Sequence, residues 1–196
     1  MLVSLIIRLA TAGLTLLLAA CVTEPAVLDG KYSYTGNTRL YNLQTWSLSG
    51  RLAISAPNDS WSANIEWRHQ PNLEKIKLSG PLGQGAVLIE LTGNAVKIDR
   101  GGGNVQTSNQ PEQFINQQLG MSVPLQSLRY WALGVPESNR AYQATSDGFV
   151  QNGWLIAYKA MQQVNAEILP HKLSVSDTRV KLKLIIDQWG LHGKSS

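Results

Sequence analysis

Apolar residues at every second position are the strongest structural signal in this 196-residue chain. In residues 46–54 and 61–67 an apolar series alternates with a polar one, and Pro57, Asn58 and Asp59 lie between them as a turn. Each segment therefore has one apolar and one polar face, as in an antiparallel sheet that is wetted on one side. The alternation favours a mainly β protein built from consecutive hairpins.

The same period continues along the chain, and three segments interrupt it. Further strands are predicted in 75–78, 87–91, 95–99, 105–108, 149–151, 154–160, 169–175 and 180–186. Helical spacing is found instead in Arg39 to about Thr45, Pro111–Leu119 and Pro124–Leu133. About ten to eleven strands with short helices favour a single highly curved antiparallel sheet, an open or nearly closed barrel, in which the helices cover the sheet or plug the mouth. Residues 187–196 show no further alternation and are predicted to be a tail, with 191–196 outside the domain.

The N-terminus predicts export and lipidation. Residues 1–20 are nearly all apolar with one charge at Arg8, and they match a lipoprotein signal peptide, because the apolar stretch Leu9–Ala20 is too short for a comfortable membrane span. They end in Leu-Ala-Ala before Cys21, which resembles the bacterial lipobox, and Cys21 is the only cysteine of the chain. A free thiol or an uncleaved membrane anchor is the alternative. Residues 21–37 are predicted to be the lipidated N-terminus and a flexible tether, and the absence of Asp after Cys21 implies the outer membrane under the sorting rule of enteric-type bacteria.

The residues that usually carry catalysis are not arranged for it. The net charge is +4 and no dense run of Lys and Arg is present, so no nucleic-acid partner is predicted. His69, His171 and His192 are far apart and lack metal-ligand spacing, and the first two are predicted to be surface or turn residues. Neither a Gly-x-Ser-x-Gly elbow nor a His-Glu-x-x-His motif occurs. We expect no catalytic residue, metal or cofactor and no enzyme, with a periplasmic hydrolase as the competing hypothesis.

One loop residue does not fit its surroundings. The segment from Ser79 to Gly85 has loop chemistry between two predicted strands, but Leu82 stands between Pro81 and Gly83 where a polar residue is expected. The leucine either folds back onto the core or forms an exposed apolar tip.

Three segments together resemble the LolB family of outer-membrane lipoprotein receptors, over about residues 46–189. They are Leu-Ser-Gly-Pro-Leu-Gly at 78–83, the helical block with Leu-Arg-x-Trp-x-Leu-Gly-x-Pro at 128–136, and the C-terminal segment from Arg179 to Trp189. The helical block is the most specific of the three. The resemblance implies an unclosed barrel with a helical lid over an apolar cavity, spanning residues 38–190.

The resemblance also implies a task. A LolB protein takes mature lipoproteins from the periplasmic carrier LolA, shields their acyl chains and inserts them into the outer membrane. The family's protruding-loop leucine is matched by Leu82, so Pro81, Leu82 and Gly83 are expected to form a membrane-insertion loop, while Cys21 carries the anchor. The expected partners are LolA, acylated cargo and outer-membrane phospholipid, for a monomer that faces the periplasm.

The apolar faces of the predicted strands and of the second long helix could line an acyl-chain cavity or fill an ordinary core. The candidates are Trp46, Leu48, Leu52, Trp61, Ile65, Trp67, Ile76, Leu78, Leu128 and Trp131. A structural or small-hydrophobic-ligand-binding envelope lipoprotein without transfer activity is the alternative function.

Overall fold

The computed structural model describes residues 27–28, 32, 38–57, 59–80, 83, 85–119 and 122–191. The predicted signal peptide, Cys21, Pro81, Leu82 and residues 192–196 lie outside them. The described residues form the strands β1 (Val27–Leu28), β2 (Trp46–Ala56), β3 (Asp59–Gln70), β4 (Leu73–Ser79), β5 (Val87–Thr92), β6 (Ala95–Asp99), β7 (Val105–Ser108), β8 (Tyr142–Ala144), β9 (Gly148–Gln151), β10 (Trp154–Val164), β11 (Glu167–Ser176) and β12 (Lys181–Leu191). The helices are α1 (Thr38–Tyr41), α2 (Pro111–Leu119) and α3 (Leu125–Leu133).

All of these strands belong to one antiparallel sheet. Eleven of them follow the order β7-β6-β5-β4-β3-β2-β12-β11-β10-β9-β8, and β1 pairs with β10 beside this path. Among the described residues the end strands β7 and β8 are not paired with each other, so the sheet does not close. The predicted unclosed antiparallel architecture is confirmed.

The two-residue alternation decides which face of the sheet is buried. In β2, Trp46, Leu48, Leu52 and Ile54 are buried, while Arg51 on the same strand is exposed. β2 pairs with β3 in continuous register, and the buried Ile65 and Trp67 of β3 continue the same inner face. The core therefore lies on the concave side of the sheet, where the helices cover it.

The predicted tail after residue 186 is wrong, because β12 runs to Leu191. A register shift between Ile186 and Gln188 inserts one extra residue opposite β2. Before this bulge the even-numbered residues point inward, and after it Trp189 pairs with Leu48 and joins the core side. Because the inward-facing positions change from even to odd numbers at the bulge, a search for simple alternation did not detect the last part of β12.

Gly50 is required where β2 passes this bulge. A Cβ atom at Gly50 would stand 2.0 Å from the backbone oxygen of Ile185. Only glycine permits this close approach of two backbones.

The helix boundaries were predicted better for the two long helices than for the short one. α2 has the predicted bounds, and α3 begins one residue later than predicted, after Pro124. Gly134 ends α3 with φ of 90°, a left-handed conformation that glycine adopts without strain. α1 is a single turn that ends at Tyr41 instead of near residue 45.

Parts of the predicted tether lie against the sheet. Val27 and Leu28 pair with Gln162 and Met161 of β10, and the ring of Tyr32 stacks on Tyr158 at a centroid distance of 4.2 Å. These three residues are therefore not part of a free tether, although the sequence predicted one over residues 21–37. No helix within the described ranges is long and apolar enough to cross a membrane.

Candidate functional site: an apolar pocket beneath the helices

An apolar pocket of about 280 Å³ lies between the β3–β6 part of the sheet and α2. Its wall includes Trp61 of β3, Leu78 of β4 and Ile89 of β5, and Ile115 of α2 closes it from above. The mouth is flanked by Gly80 and Gly85, which bracket the loop between β4 and β5. The pocket therefore opens directly beside the loop that the sequence singled out.

A smaller apolar space of about 40 Å³ continues beneath both helices. It shares Trp61, Leu78, Ile89 and Ile115 with the larger pocket and reaches Leu128 of α3. Its volume is close to the share of liquid volume of one water molecule, about 30 Å³. The inner space is thus nearly closed, and only movement of a covering element would enlarge it.

Seven of the ten residues predicted to line a cavity do lie on the wall of these spaces. They are Leu52, Trp61, Ile65, Trp67, Ile76, Leu78 and Leu128. Trp46, Leu48 and Trp131 are not among the lining residues, and all three are buried elsewhere in the core. Periodicity identified the buried face correctly, but it could not separate residues on a pocket wall from residues packed on all sides.

Trp46 belongs to an aromatic cluster at the far end of β2. Its ring lies 5.2 Å from those of Trp67 and His69 and 5.8 Å from that of Trp189. The prediction of His69 as a surface or turn residue is wrong, because its side chain is only 13% exposed and its Nδ1 lies 2.6 Å from Glu74 Oε1. His171 likewise lies within β11, where its Nδ1 is 2.8 Å from the Ile186 carbonyl oxygen.

Glu74 connects this cluster to α3 and to Trp67 on the wall of the smaller inner space. Its Oε2 accepts a hydrogen bond of 2.7 Å from Trp67 Nε1, and Arg129 of α3 approaches its Oε1 at 3.9 Å. Trp67 is 1% exposed, so its N–H has no access to bulk water as a replacement partner. The carboxylate therefore holds one wall residue in place and contacts the helix that covers it.

Trp131 anchors the other end of α3, away from the pocket. Its side chain is fully buried, and its Nε1 donates to Gln151 Oε1 at 2.9 Å. Gln151 is itself 1% exposed and donates through Nε2 to the carbonyl oxygens of Glu137 and Arg140. This glutamine satisfies the backbone of the segment after α3, which explains a buried amide that the sequence did not reveal.

Three tyrosine hydroxyls hold the C-terminal end of α3. Tyr158 donates to the Trp131 carbonyl oxygen at 2.8 Å, Tyr32 to that of Gly134 at 2.9 Å, and Tyr41 to that of Pro136 at 2.9 Å. Burial raises the pKa of the Tyr158 hydroxyl well above its ordinary value, and the neighbouring Tyr32 and Tyr41 raise it further. Tyr158 consequently stays protonated and remains a donor.

The structure describes the loop between β4 and β5 at Gly80, Gly83, Gly85 and Ala86. Gly83 N–H donates to the Gly80 carbonyl oxygen at 3.0 Å and closes a tight turn between these residues, with φ of 77° at Gly83. Pro81 and Leu82 lie outside the described residues, so the exposed apolar tip stays a prediction.

A wider groove of about 1200 Å³ lies on the outer side of α2, between this helix and the turns at residues 56–57 and 179–180. Its lining combines the polar Gln113, Asn116 and Gln117 of α2 with the apolar Ala56 and Val180. An acyl chain that binds in this groove gains little, because it would displace the water that hydrogen-bonds to the amide groups of its wall.

Across the described ranges, no three His, Cys, Asp or Glu side chains come close enough to hold a metal ion.

Comparison with known proteins identifies the family. Residues 44–189 match the model of the family described as outer membrane lipoprotein LolB. The chain belongs to the LolB family. The match extends from the residues before β2 to Trp189 of β12, so the pocket, both long helices and the loop between β4 and β5 all lie inside it.

Individual LolB proteins support this over nearly the full length. The outer-membrane lipoprotein LolB of a Marinomonas species is 31% identical over 190 residues, which cover 91% of this chain and 94% of that protein. The LolB of Alkalilimnicola ehrlichii is 31% identical, with coverage of 94% and 97%. A LolA superfamily protein of solved structure, NE2245 from Nitrosomonas europaea, aligns with a TM-score of 0.42 at 10% identity, over 82% of this chain and 95% of that one.

Membership of the LolB family places this chain as a lipid-anchored protein in the outer membrane of a Gram-negative bacterium. Sequence reasoning missed several wall residues of the pocket, notably Val87 and Ile89 of β5 and Ile115 of α2. A signal existed for the first two, because Ile89 pairs with Ile76 and Val87 with Leu78 across neighbouring strands. Ile115 gave no such signal, since a helix of two turns fits many positions over a sheet.

Proposed function

We propose that this LolB-family protein accepts mature lipoproteins from the carrier LolA, shields their acyl chains in the apolar pocket under α2, and delivers them to the outer membrane. The family assignment supports a role in lipoprotein localisation that involves cargo and carrier. The observation that carries the mechanism is the pocket itself, which has walls from Trp61, Leu78 and Ile89 and opens at the base of the β4–β5 loop. The protein acts as a monomer and needs no cofactor.

The chemistry of the cargo requires such a pocket. Each CH₂ group of an acyl chain in water costs about 0.8 kcal/mol, so a whole chain costs on the order of 10 kcal/mol. The present pocket is smaller than a multiply acylated cargo needs, and its inner end is nearly closed. Loading therefore requires α2 to move away from the sheet, which enlarges both spaces at once because Ile115 contributes to both.

Transfer from the carrier needs no nucleotide hydrolysis. A difference of about 1.4 kcal/mol in binding free energy shifts the distribution of cargo tenfold. Tighter binding by this protein than by LolA would be sufficient to drive the cargo toward the outer membrane.

The loop at Pro81, Leu82 and Gly83 is proposed to act at delivery. Burial of one leucine contributes about 2 kcal/mol, which is too little to hold a protein on a bilayer, so Cys21 carries the anchor and Leu82 disturbs or enters the leaflet locally. The position of the pocket mouth supports this role, because Gly80 and Gly85 belong both to the mouth and to the loop. Acyl chains that leave the pocket would emerge beside the leucine.

The test is cargo transfer from purified carrier to the protein and then to outer-membrane vesicles. Leu82→Glu should keep cargo capture and lose most delivery, while Ile168→Glu should keep both, because Ile168 is 50% exposed on β11 and does not line the pocket. Equal delivery by the Leu82 variant and the wild type would refute the role of the loop. A wild-type protein that binds a fluorescent fatty acid but takes no cargo from the carrier would favour the ligand-binding alternative.

A further inference from the structure

The lysines on the outer face of the sheet fall into two groups that differ in their partners. On β4 and β6, Lys75 and Lys97 are ion-paired with Glu90, and Lys77 is paired with Glu66. The pKa of Glu90 is lowered by its hydrogen bond to Lys75. These positive charges are largely compensated by neighbouring carboxylates.

The second group lies on the β11–β12 hairpin and has no such compensation. Lys172, Lys181 and Lys183 are exposed, and in the part of the chain that the structure describes none of them forms an ion pair. Asp187 on the same hairpin is engaged by Arg51 at 2.9 Å. We call Lys172, Lys181 and Lys183 the lysine face.

The strand register brings these three side chains together. Lys181 and Lys183 are two residues apart on one strand, or about 7 Å. Lys172 pairs with Ile185 and so stands diagonally to Lys183, at about 7–8 Å. Between the lysines are only small hydroxyl residues, because Lys181 pairs with Ser176 and Lys183 with Ser174.

The row of residues paired across the strands at Lys181 includes an exposed apolar residue on β10. Ser176 pairs with Leu155 of β10 on its other side, and Leu155 is 43% exposed. Beside Lys183 lies a shallow, mostly apolar depression of about 300 Å³ that is also lined by Ala53 and Ile185. Cations beside exposed apolar groups suit a lipid–water interface better than an aqueous anion.

We infer that the lysine face rests on the membrane and binds anionic phospholipid headgroups. The partner is a bilayer because this lipoprotein is anchored in one, and because the three unpaired lysines beside the exposed Leu155 are complementary to an anionic lipid surface. The surface is independent of the transfer activity proposed above, since it lies on the opposite side of the sheet from the pocket.

The test compares two triple variants that remove the same number of charges. The mature chain from residue 22, prepared without acyl chains, is sedimented with vesicles of phosphatidylcholine alone or mixed with phosphatidylglycerol. K172S/K181S/K183S should bind the anionic vesicles about 100-fold more weakly than the wild type, from the usual contribution of a lysine near an anionic surface. The matched control K75S/K77S/K97S should change binding by less than about threefold, and added salt should remove the difference between the two.

Unchanged thermal unfolding verifies that both variants are folded, and cargo capture from the carrier reports separately on the pocket. If both triple variants bind the anionic vesicles equally weakly, only net charge matters and the proposal is overturned. It is also overturned if K172S/K181S/K183S binds these vesicles as well as the wild type does. The proposal is also overturned if the first triple keeps vesicle binding but loses the carrier, because the face would then belong to a protein partner.

Discussion

The two long helices cover the same concave sheet, but they are held in different ways. The C-terminal half of α3 contains Trp131 and Ala132, both fully buried, and three tyrosine hydroxyls bind the carbonyl oxygens at its end. α2 inserts Ile115 toward the sheet, while Phe114 beside it is only half-buried. The side-chain hydrogen bonds of Asn116 go to the neighbouring residues Ser122 and Val123 and not to the sheet.

This difference makes α3 the fixed cover of the sheet and α2 the cover that can open. Among the side chains that the structure describes, opening α2 uncovers Ile115 and part of Phe114, and it breaks none of the side-chain hydrogen bonds described between the helices and the sheet. Opening the end of α3 would expose Trp131, separate its Nε1 from Gln151 and separate its carbonyl oxygen from the buried Tyr158 hydroxyl, at a cost of about 1–3 kcal/mol for each buried group left without a partner. The pocket lies under the movable helix, which is where an exchangeable acyl chain needs it.

The largest expected effect is that of Trp131→Ala. Loss of a fully buried tryptophan and of its hydrogen bond to Gln151 should lower the free energy of unfolding by about 3–5 kcal/mol, measured by urea denaturation. The matched change on the other helix, Phe114→Ala, should cost about 1 kcal/mol. If both substitutions lower the free energy of unfolding equally, the two helices belong to one stable unit, and the proposed difference between them is contradicted.

Hydrogen exchange of the native protein should show the same contrast without any substitution. The amides of α2 should exchange through local opening, at least about 100-fold faster than those of residues 130–133 in α3, which require nearly global unfolding. If the slowest amides of the two helices exchange at the same rate, α2 does not open independently and the loading route proposed above is wrong.

The bounds of both long helices could be predicted from the sequence, but the contacts that hold them could not. The bounds of α2 and α3 followed from apolar spacing and from the stop at Gly134, and the hairpins up to β7 followed from alternation. The sequence did not show which end of α3 is held in place, because the tyrosines that bind it are at positions 32, 41 and 158, far from the helix along the chain. Such contacts depend on tertiary arrangement and leave no local pattern.

The bulge in β12 and the short strands at the edges were missed for related reasons. One inserted residue at Asp187 reverses the phase of alternation, so Trp189 looked like part of a tail. β1 and β8 have two and three residues, too few to show a period. At the site, the sequence indicated the buried face but not the empty space next to it, since a cavity is a property of packing between side chains that are distant along the chain.

The smallest expected effect concerns the tyrosine at the fixed end of α3. Because burial raises the pKa of Tyr158 in the folded state, the unfolded chain releases this proton first, near its ordinary value of about 10. The contribution of Tyr158 is therefore complete below that pH and is lost as the pH rises above it. Tyr158→Phe should cost about 1 kcal/mol at neutral pH, from the lost bond to Trp131, and should reduce the decline of stability above pH 10. The measurement is thermal unfolding as a function of pH, and the same alkaline decline in both proteins would contradict it.

The central claim is that cargo acyl chains occupy the pocket beneath α2. The most direct measurement uses a lipoprotein with photoreactive acyl chains, loaded from the carrier onto the unmodified protein, irradiated, and mapped by mass spectrometry. Cross-links should fall on β3–β5 and α2, at residues such as Trp61, Val87 and Ile115. Cross-links confined to β8–β10 or to the outer face of the sheet, under conditions where transfer proceeds, would contradict the account.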